Sequence, residues 1–337
     1  MFLIKKVVDL LVEPLLYICN LSLNRGVFPK KLKIAKVTPI FKKGQKENIN
    51  NYRPISVLPT FSKLIEKIVY HRLSFYLDSF DVIGDNQYGF REGRSTTAAV
   101  LSLTDYILRA FDDGKFVVGV FLDLTKAFET VNHNILLKKL EYIGVRGVAL
   151  RWFQSYLTDR KQYVMFNGSK SDSKQLFYSV PQGSILGPLL FNLYINDLTS
   201  LAINMKITLF ADDSCFYLAN KNLNTLINTI NSDLLTVDNW LKCSRLTLNL
   251  DKFHYIIFSR RKKIPPDLPN ISIDDHSLKS VNETLFLGIT ITNNLSWKKH
   301  IKIVVNKLYK HKSVLFLTRK YLSRSTMLTL YYSLIYP

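Results

Sequence analysis

Three acids in this sequence stand where an acid is expensive. Phe116–Leu122 reads FVVGVFL, the unbroken apolar run expected of a strand buried on both faces, and it stops at Asp123. Met205–Phe210 is a second apolar strand, broken by Asp212 and Asp213, with strand character resuming over Cys215–Leu218. A carboxylate at the end of a buried strand is poorly solvated, so it asks for a partner. If the two strands pair, three carboxylates converge and repel one another unless a divalent cation neutralises them. Mg²⁺ takes hard oxygen ligands and binds through one or two carboxylates plus substrate phosphates. Two such ions, roughly 3.5–4 Å apart, clamp the attacking and leaving oxygens of a phosphoryl transfer. The competing reading makes Asp212-Asp213 merely a type I′ hairpin turn, which accepts Asp for backbone reasons alone. Asp123, closing its own apolar strand in a strongly basic chain, favours the chemical reading.

Charge supplies the partner class. Across 337 residues, 46 Lys and Arg face 26 Asp and Glu, leaving a net charge of +20 at pH 7. That surplus points to a polyanion, nucleic acid first and an acidic membrane surface second. It is concentrated at the C-terminal end. No acid follows Glu283, whereas Lys298, Lys299, Lys302, Lys307, Lys310, Lys312, Arg319, Lys320 and Arg324 all fall there. Such a stretch makes a poor salt-bridged surface and a good phosphate-tracking one. With 47% hydrophobic residues the chain can bury a sizeable core, spread over two or three packed subdomains. Cys19, Cys215 and Cys243 are scattered and share no ligand-like spacing with the histidines. This excludes a disulfide framework and a zinc site and suits a reducing, intracellular compartment, nuclear or cytoplasmic. No segment reads as membrane-spanning. Val7–Leu23 is interrupted by Asp9, Glu13, Pro14 and Asn20, and reads as an amphipathic helix packed on the core. Lys5 and Lys6 precede an apolar run, but no small-residue cleavage site follows.

The elements that must carry these residues mix helices and short strands irregularly, which argues for an α+β fold rather than a βαβ parallel sheet. Residues 34–41 and 53–57 read as strands joined by the polar loop GQKENINN. Thr60–Phe80 has the helical spacing of Leu64, Ile65, Ile68, Val69 and Leu73, and a second helix follows Ser95. Further helices are expected at Asn132–Tyr142, Val148–Leu157, from near Ser184, over 222–242 and from Trp297 onward. Gln162–Phe166 should turn through Asn167-Gly168 and return over Gln175–Val180. Strand 253–259 and a short hairpin around Phe286-Leu287-Gly288 complete the pattern.

In this order the sequence carries NYRPISVLPTFSKLIEKIV, QYGFREGRSTTAAV, FLDLTKAFETVNH, VPQGSILGPLLFNLYINDL, LFADD, LNLDK and FLGI. Together, from residue 51 to 289, they resemble the reverse transcriptases of non-LTR, jockey-like retrotransposons. The resemblance implies a right-hand polymerase fold: a helical extension over 1–30, fingers over 31–115, a palm with interleaved fingers elements over 116–290, and a truncated basic thumb over 291–337. It implies an RNA-directed DNA polymerase that adds dNTPs to a DNA primer on an RNA template with two Mg²⁺ ions, Mn²⁺ being a substitute. Neither a membrane nor an obligate protein partner is expected.

Site roles follow from the same resemblance. Asp123, Asp212 and Asp213 stand at the metal-ligand positions, with the backbone carbonyl of Leu124 close to the second ion. Phe128 stands where an aromatic ring packs under the sugar and collides with a 2′-hydroxyl; by its own sequence context it would be a core aromatic at a helix start. Gln182 and Gly183 fall where the family's loop meets the nascent base pair, although PQGS is also an ordinary Pro/Gly helix start. Arg53 matches the fingers arginine that grips the triphosphate, a task suited to a guanidinium's paired donors. Arg91 and Arg94 are either helpers there or surface charges. Lys252 matches the lysine that protonates departing pyrophosphate. The sequence departs from the family pattern at Glu129, Ser214 and Phe253, none of them a metal ligand. With no stretch for an endonuclease, it reads as a fragment.

Overall fold

The computed structural model describes residues 8–260, 264–265, 267–274 and 276–336. The first seven residues and Pro337, on which part of the terminal expectations fell, lie outside them. The chain opens with α1 (Val8–Arg25), β1 (Ile34–Phe41), β2 (Tyr52–Val57), α2 (Thr60–Ser79), α3 (Thr96–Asp112) and β3 (Phe116–Asp123). It continues through α4 (His133–Tyr142), α5 (Gly147–Leu157), β4 (Arg160–Phe166), β5 (Ser169–Lys170), β6 (Lys174–Leu176) and α6 (Leu186–Ile195). Then follow β7 (Lys206–Phe210), β8 (Asp213–Asn220), α7 (Leu223–Cys243), β9 (His254–Phe258), β10 (Ser272–Ile273), β11 (His276–Ser277) and β12 (Lys279–Ser280). The last elements are β13 (Glu283–Phe286), β14 (Ile289–Thr292), α8 (Lys298–Thr318) and α9 (Arg324–Leu334).

The central sheet has the order β12-β9-β3-β8-β7, with β3 antiparallel to both neighbours. Every β3 residue from Phe116 to Leu122 is buried, because alternate side chains serve two different cores. Phe116, Val118, Val120 and Leu122 face a core shared with α2, α4, α5, α6 and α7. Val117 and Phe121 face a second core with Val100, Leu103 and Ile107 of α3 and with Phe286 and Ile291 of β13 and β14. Burying each such side chain is worth about 1.5–3 kcal/mol, which explains why this strand has no polar alternation. Gly119 is the exception in size, and a Cβ there would lie 2.9 Å from the Phe258 ring.

A second sheet joins β2, β1, β4 and β5, with β6 also on β4. The β1–β4 pairing is parallel and the rest antiparallel. The expected return strand Gln175–Val180 is corrected. The chain pairs at once as Met165↔Lys170, breaks at 171–173, and pairs again as Gln162↔Lys174 and Arg160↔Leu176. At the break, Ser171 N–H still donates to Val164 O (3.0 Å), but Val164 N–H is accepted by the Ser171 hydroxyl (2.9 Å) in place of a backbone carbonyl. Phe128 lies in a turn segment rather than at a helix start. Helix α1 docks on α5, where the Trp152 indole N–H donates to Ser22 Oγ (3.0 Å) and Phe28 stands edge-on to Trp152 and Tyr156. Helices α8 and α9 carry no buried residue, with α8 touching β14 and α9. No described helix is long and apolar enough to cross a membrane.

Candidate active site

Strand pairing brings the acids together. In the β3–β8 ladder Asp123 is the register partner of Asp213, and in the β7–β8 hairpin Asp213 is also the partner of Phe210. The two-residue loop is therefore Ala211-Asp212, not Asp212-Asp213. This corrects the type I′ turn reading, because Asp213 is a strand residue between β3 and β7. Ala211 takes the left-handed backbone (φ +54°) that the tight loop needs. It is held there by a segment to which sequence reasoning assigned no role. Tyr88 N–H donates to Leu209 O, Leu209 N–H donates to Asn86 O, and the Gln87 side-chain oxygen accepts from Gly89 N–H (2.7 Å) and Ala211 N–H (3.1 Å). Gly89 lies so close that a Cβ would sit 2.4 Å from Ala211 N. The only sequence signal was a glycine inside QYGF, two residues after a glutamine that turns out buried.

Asp123 is fixed from the other side. Its backbone carbonyl accepts from Asn249 N–H (2.9 Å), while its carboxylate accepts from Asn249 Nδ2 (3.1 Å) and from Lys252 Nζ (2.5 Å). Thr125 N–H donates to Thr247 O (2.8 Å). The alternation of an extended chain then turns the Leu124 carbonyl the opposite way, toward the side on which β8 lies. Lys252, in a 3-10 turn, is thus anchored to Asp123.

The electrostatics match crowded acids. Burial raises the carboxyl pKa of Asp212 above the usual range, with Asp123 adding to the rise and Arg53 and Lys252 opposing it. Water reaches the Asp213 side chain, yet the surrounding walls and the charges of Asp212 and Asp123 push its carboxyl up to about 6. Among the described residues no three His, Cys, Asp or Glu side chains are gathered tightly enough to hold an ion as they stand. The backbone register places Asp123 and Asp213 opposite each other on paired strands, with Asp212 in the adjoining turn. Two raised carboxyls, an all-oxygen donor set and the free-facing Leu124 carbonyl fit a hard divalent cation.

An open cleft of about 950 Å³ is lined by Asp123 and Asp212, by Leu124, Lys252, Phe128 and Gln182, and by Arg53 and the loop lysines Lys42, Lys43 and Lys46. Arg53 is exposed on β2 opposite Ile40. Phe128 stacks on Phe191 (centroids 4.6 Å apart, 26° between planes) and meets Phe90 edge-on, leaving it half-buried at the cleft floor. Its carbonyl accepts from Val180 N–H (2.9 Å), which ties it to the loop bearing Gln182 and Gly183. Gln182 O accepts from Ser56 N–H (2.8 Å), and Gly183 (φ +103°) comes so close to β2 that a Cβ would lie 2.6 Å from Ser56 O. Arg91 and Arg94 are not brought here. Arg91 donates to Gly84 O (2.8 Å), and Arg94 pairs with Asp85 and lies over the Tyr88 ring. Lys42, Lys43, Lys46 and Asn249 are further cleft residues that sequence reasoning passed over; the lysines sit in a polar loop whose composition resembles any solvated turn.

Known proteins resemble this chain in sequence and in fold. The sequence matches the family described as reverse transcriptase (RNA-dependent DNA polymerase) over residues 40–291. It is 32% identical to a probable RNA-directed DNA polymerase from transposon BS of Drosophila melanogaster, over 95% of this chain and 36% of that protein. It is 28% identical to the RNA-directed DNA polymerase from mobile element jockey of the same organism, over 98% of this chain and 37% of that protein. The chain thus spans about a third of the length of these relatives. Among solved structures, apo telomerase from Candida tropicalis, truncated from its C-terminal domain, superposes with a TM-score of 0.52 at 14% identity, over 80% of this chain and 55% of that one. That likeness extends to the right-hand polymerase fold. With the acids on the paired strands, the cleft above them and the family match across three quarters of its length, the chain belongs to the reverse transcriptase (RNA-dependent DNA polymerase) family.

Proposed function

We propose that this chain is the polymerase part of a non-LTR retrotransposon protein and adds dNTPs to a DNA primer 3′-hydroxyl on an RNA template. The observation that carries the reading is the pairing of Asp123 with Asp213, with Asp212 at the adjacent turn, beneath a cleft rimmed by Arg53, Lys42, Lys43 and Lys46. In this reading 31–115 acts as fingers, 116–290 as palm and 291–337 as a basic thumb.

In the reaction the primer 3′-hydroxyl gives up its proton to solvent as its oxygen attacks the α-phosphorus, a P–O bond forms, the bond from the α-phosphorus to the bridging β-phosphate oxygen breaks and pyrophosphate leaves. Bound at Asp123, Asp212, Asp213 and the Leu124 carbonyl, two Mg²⁺ ions would supply Lewis acidity and neutralise the developing charge. The chain's own groups position the reactants. Arg53 and the loop lysines hold the triphosphate, Gln182 and Gly183 border the nascent pair, and the Phe128 ring excludes a 2′-hydroxyl. Lys252 donates a proton to pyrophosphate once it leaves Asp123, a contact the cation would displace.

The test is extension of an annealed primer on RNA with dNTPs and Mg²⁺. Asp123→Ala, Asp212→Ala and Asp213→Ala should each lower extension by about a hundredfold or more while primer–template affinity stays within about twofold, because these groups stabilise charge in the reaction rather than grip the duplex. A wild-type chain that binds primer–template and extends nothing would favour the alternative of a catalytically silent nucleic-acid-binding remnant.

A further inference from the structure

A carboxylate outside the candidate acid cluster holds the start of the helix that follows the loop proposed to border the nascent base pair. Glu66, on α2, is fully buried. One oxygen accepts from Ser62 Oγ (2.9 Å), and the other accepts from the backbone N–H groups of Ile185 (2.8 Å) and Leu186 (3.4 Å). Those are among the first amides of α6, which an α-helix cannot satisfy internally. Gly187 N–H, the next one, is taken by Ser184 Oγ (2.9 Å), whose own hydroxyl donates to Pro181 O (2.7 Å). The loop Pro181–Ser184 is therefore closed on itself and hung from a side chain contributed by another element.

The second attachment of that loop comes from the same stretch of chain. Ser56, on β2 and ten residues before Glu66, donates its N–H to Gln182 O, and its carbonyl is the atom that Gly183 packs against. One continuous segment, residues 53–66, thus carries Arg53, one wall for Gly183 and the buried cap of α6. We propose that Glu66 is a positioning residue that sets the placement of Gln182, which lines the cleft, and of the adjoining Gly183, and so controls how accurately the polymerase checks the incoming base. This rests on the proposed role of the Gln182–Gly183 loop. The carboxylate also acts electrostatically, since a negative group at the first turn of α6 opposes the positive end of the helix dipole.

Gln at position 66 retains the function by hydrogen bonding alone: its oxygen accepts from Ile185 and Leu186 and its amide donates to Ser62 Oγ. Leu has similar bulk but leaves those buried N–H groups unpaired. The experiment measures single-nucleotide incorporation of matched and mismatched dNTPs by the full chain, alongside primer–template affinity without dNTP and amide hydrogen exchange at Ile185 and Leu186. Glu66→Leu should lose about tenfold in kcat/KM for the matched dNTP, the size of one buried charge-assisted hydrogen bond, and gain in relative misincorporation. Its primer–template affinity should stay within about twofold, and Glu66→Gln should retain wild-type discrimination. If Glu66→Leu does not fold, Glu66→Asp, which pulls the oxygens back by one methylene, should show the same loss in smaller degree.

Wild-type discrimination in a folded Glu66→Leu or Glu66→Asp variant overturns the proposal. So does an equal loss in primer–template affinity, which would mark a general structural role, or a Glu66→Gln variant as impaired as Glu66→Leu. Slow exchange at Ile185 and Leu186 that Glu66→Leu abolishes, in a wild-type chain without polymerase activity, would uphold the cap and refute the catalytic reading beneath it. Fast exchange in the wild type refutes the cap itself.

Discussion

Asp213 carries opposed demands: it stands beside two other acids, and it titrates in the range where the protein would work. Its folded carboxyl, raised to about 6, lies above its ordinary value near 3.8, so between those values the folded chain binds more protons than the unfolded one. Stability from this group is therefore fully present below about pH 4 and lost as pH rises through about 6, opposite in sign to a salt-bridged carboxylate. Asp213→Asn removes the repulsion at neutral pH. We expect it to raise the melting temperature of metal-free protein at pH 7.5 relative to wild type, to flatten the pH dependence between 4 and 6.5, and to abolish extension. A variant no more stable than wild type at pH 7.5 would mean that the three acids do not crowd one another. Phe128 belongs to the same scale. Its ring leans on Phe191 and Phe90 yet faces the cleft, so Phe128→Ala should lose packing and also admit ribonucleotides, about tenfold or more relative to dNTPs. Unchanged sugar discrimination in a folded variant would return the ring to the core alone. The three acids were legible in the sequence because each interrupts an apolar strand. Asn249, which holds Asp123, was not, since an asparagine between Leu248 and Leu250 looks the same whether or not it has a partner.

The β7–β8 hairpin shows how elements rather than residues set the site. Its loop lies one residue earlier than the Asp pair suggested, and the left-handed Ala211 is a strained choice for a residue with a Cβ. The strain is borne by Gln87, whose side-chain oxygen serves both Gly89 N–H and Ala211 N–H in a buried setting. Gln87→Ala should therefore destabilise the fold by about 1–3 kcal/mol, the cost of leaving buried donors unpaired. It should also lower extension more than a core truncation of equal destabilisation, such as Ile207→Val combined with a second site. Denaturant unfolding set beside primer extension separates the two effects, and equal activity at matched stability would reduce Gln87 to scaffold. Local pattern gave the helices and the buried central strand, because hydrophobic period is a local signal. It missed the break in the β4 return strand and the true hairpin loop, both decided by which partner a backbone N–H finds: Ser171 in one case and β3 in the other.

At the scale of the whole molecule the net charge of +20 is distributed by function. The cleft rim takes Arg53, Lys42, Lys43 and Lys46, and α8 takes the longest acid-free run of cations on a helix with no buried residue. One of its lysines is less available than the sequence implied. Lys299 reaches back to Glu283 on β13, the last acid in the chain, in an exposed ion pair of the kind worth about 0–1 kcal/mol. Lys302, Lys307 and Lys310 are exposed on the same helix, and no ion pair with them is found among the described residues. On the proposed function, these cations would lie along the phosphates of the primer–template duplex. Affinity for primer–template should therefore fall steeply with salt, the slope of log affinity against log salt being about −0.7 to −0.9 per phosphate neutralised. Replacing Lys302, Lys307 and Lys310 by Ala should make that slope shallower by up to about three such contributions and weaken binding without altering preference among template sequences. Lys299→Ala alone should change it less than any one of the three, because its charge is already shared with Glu283. A wild-type slope near zero, or a triple variant with an unchanged slope and an altered sequence preference, would show that α8 does not track the backbone.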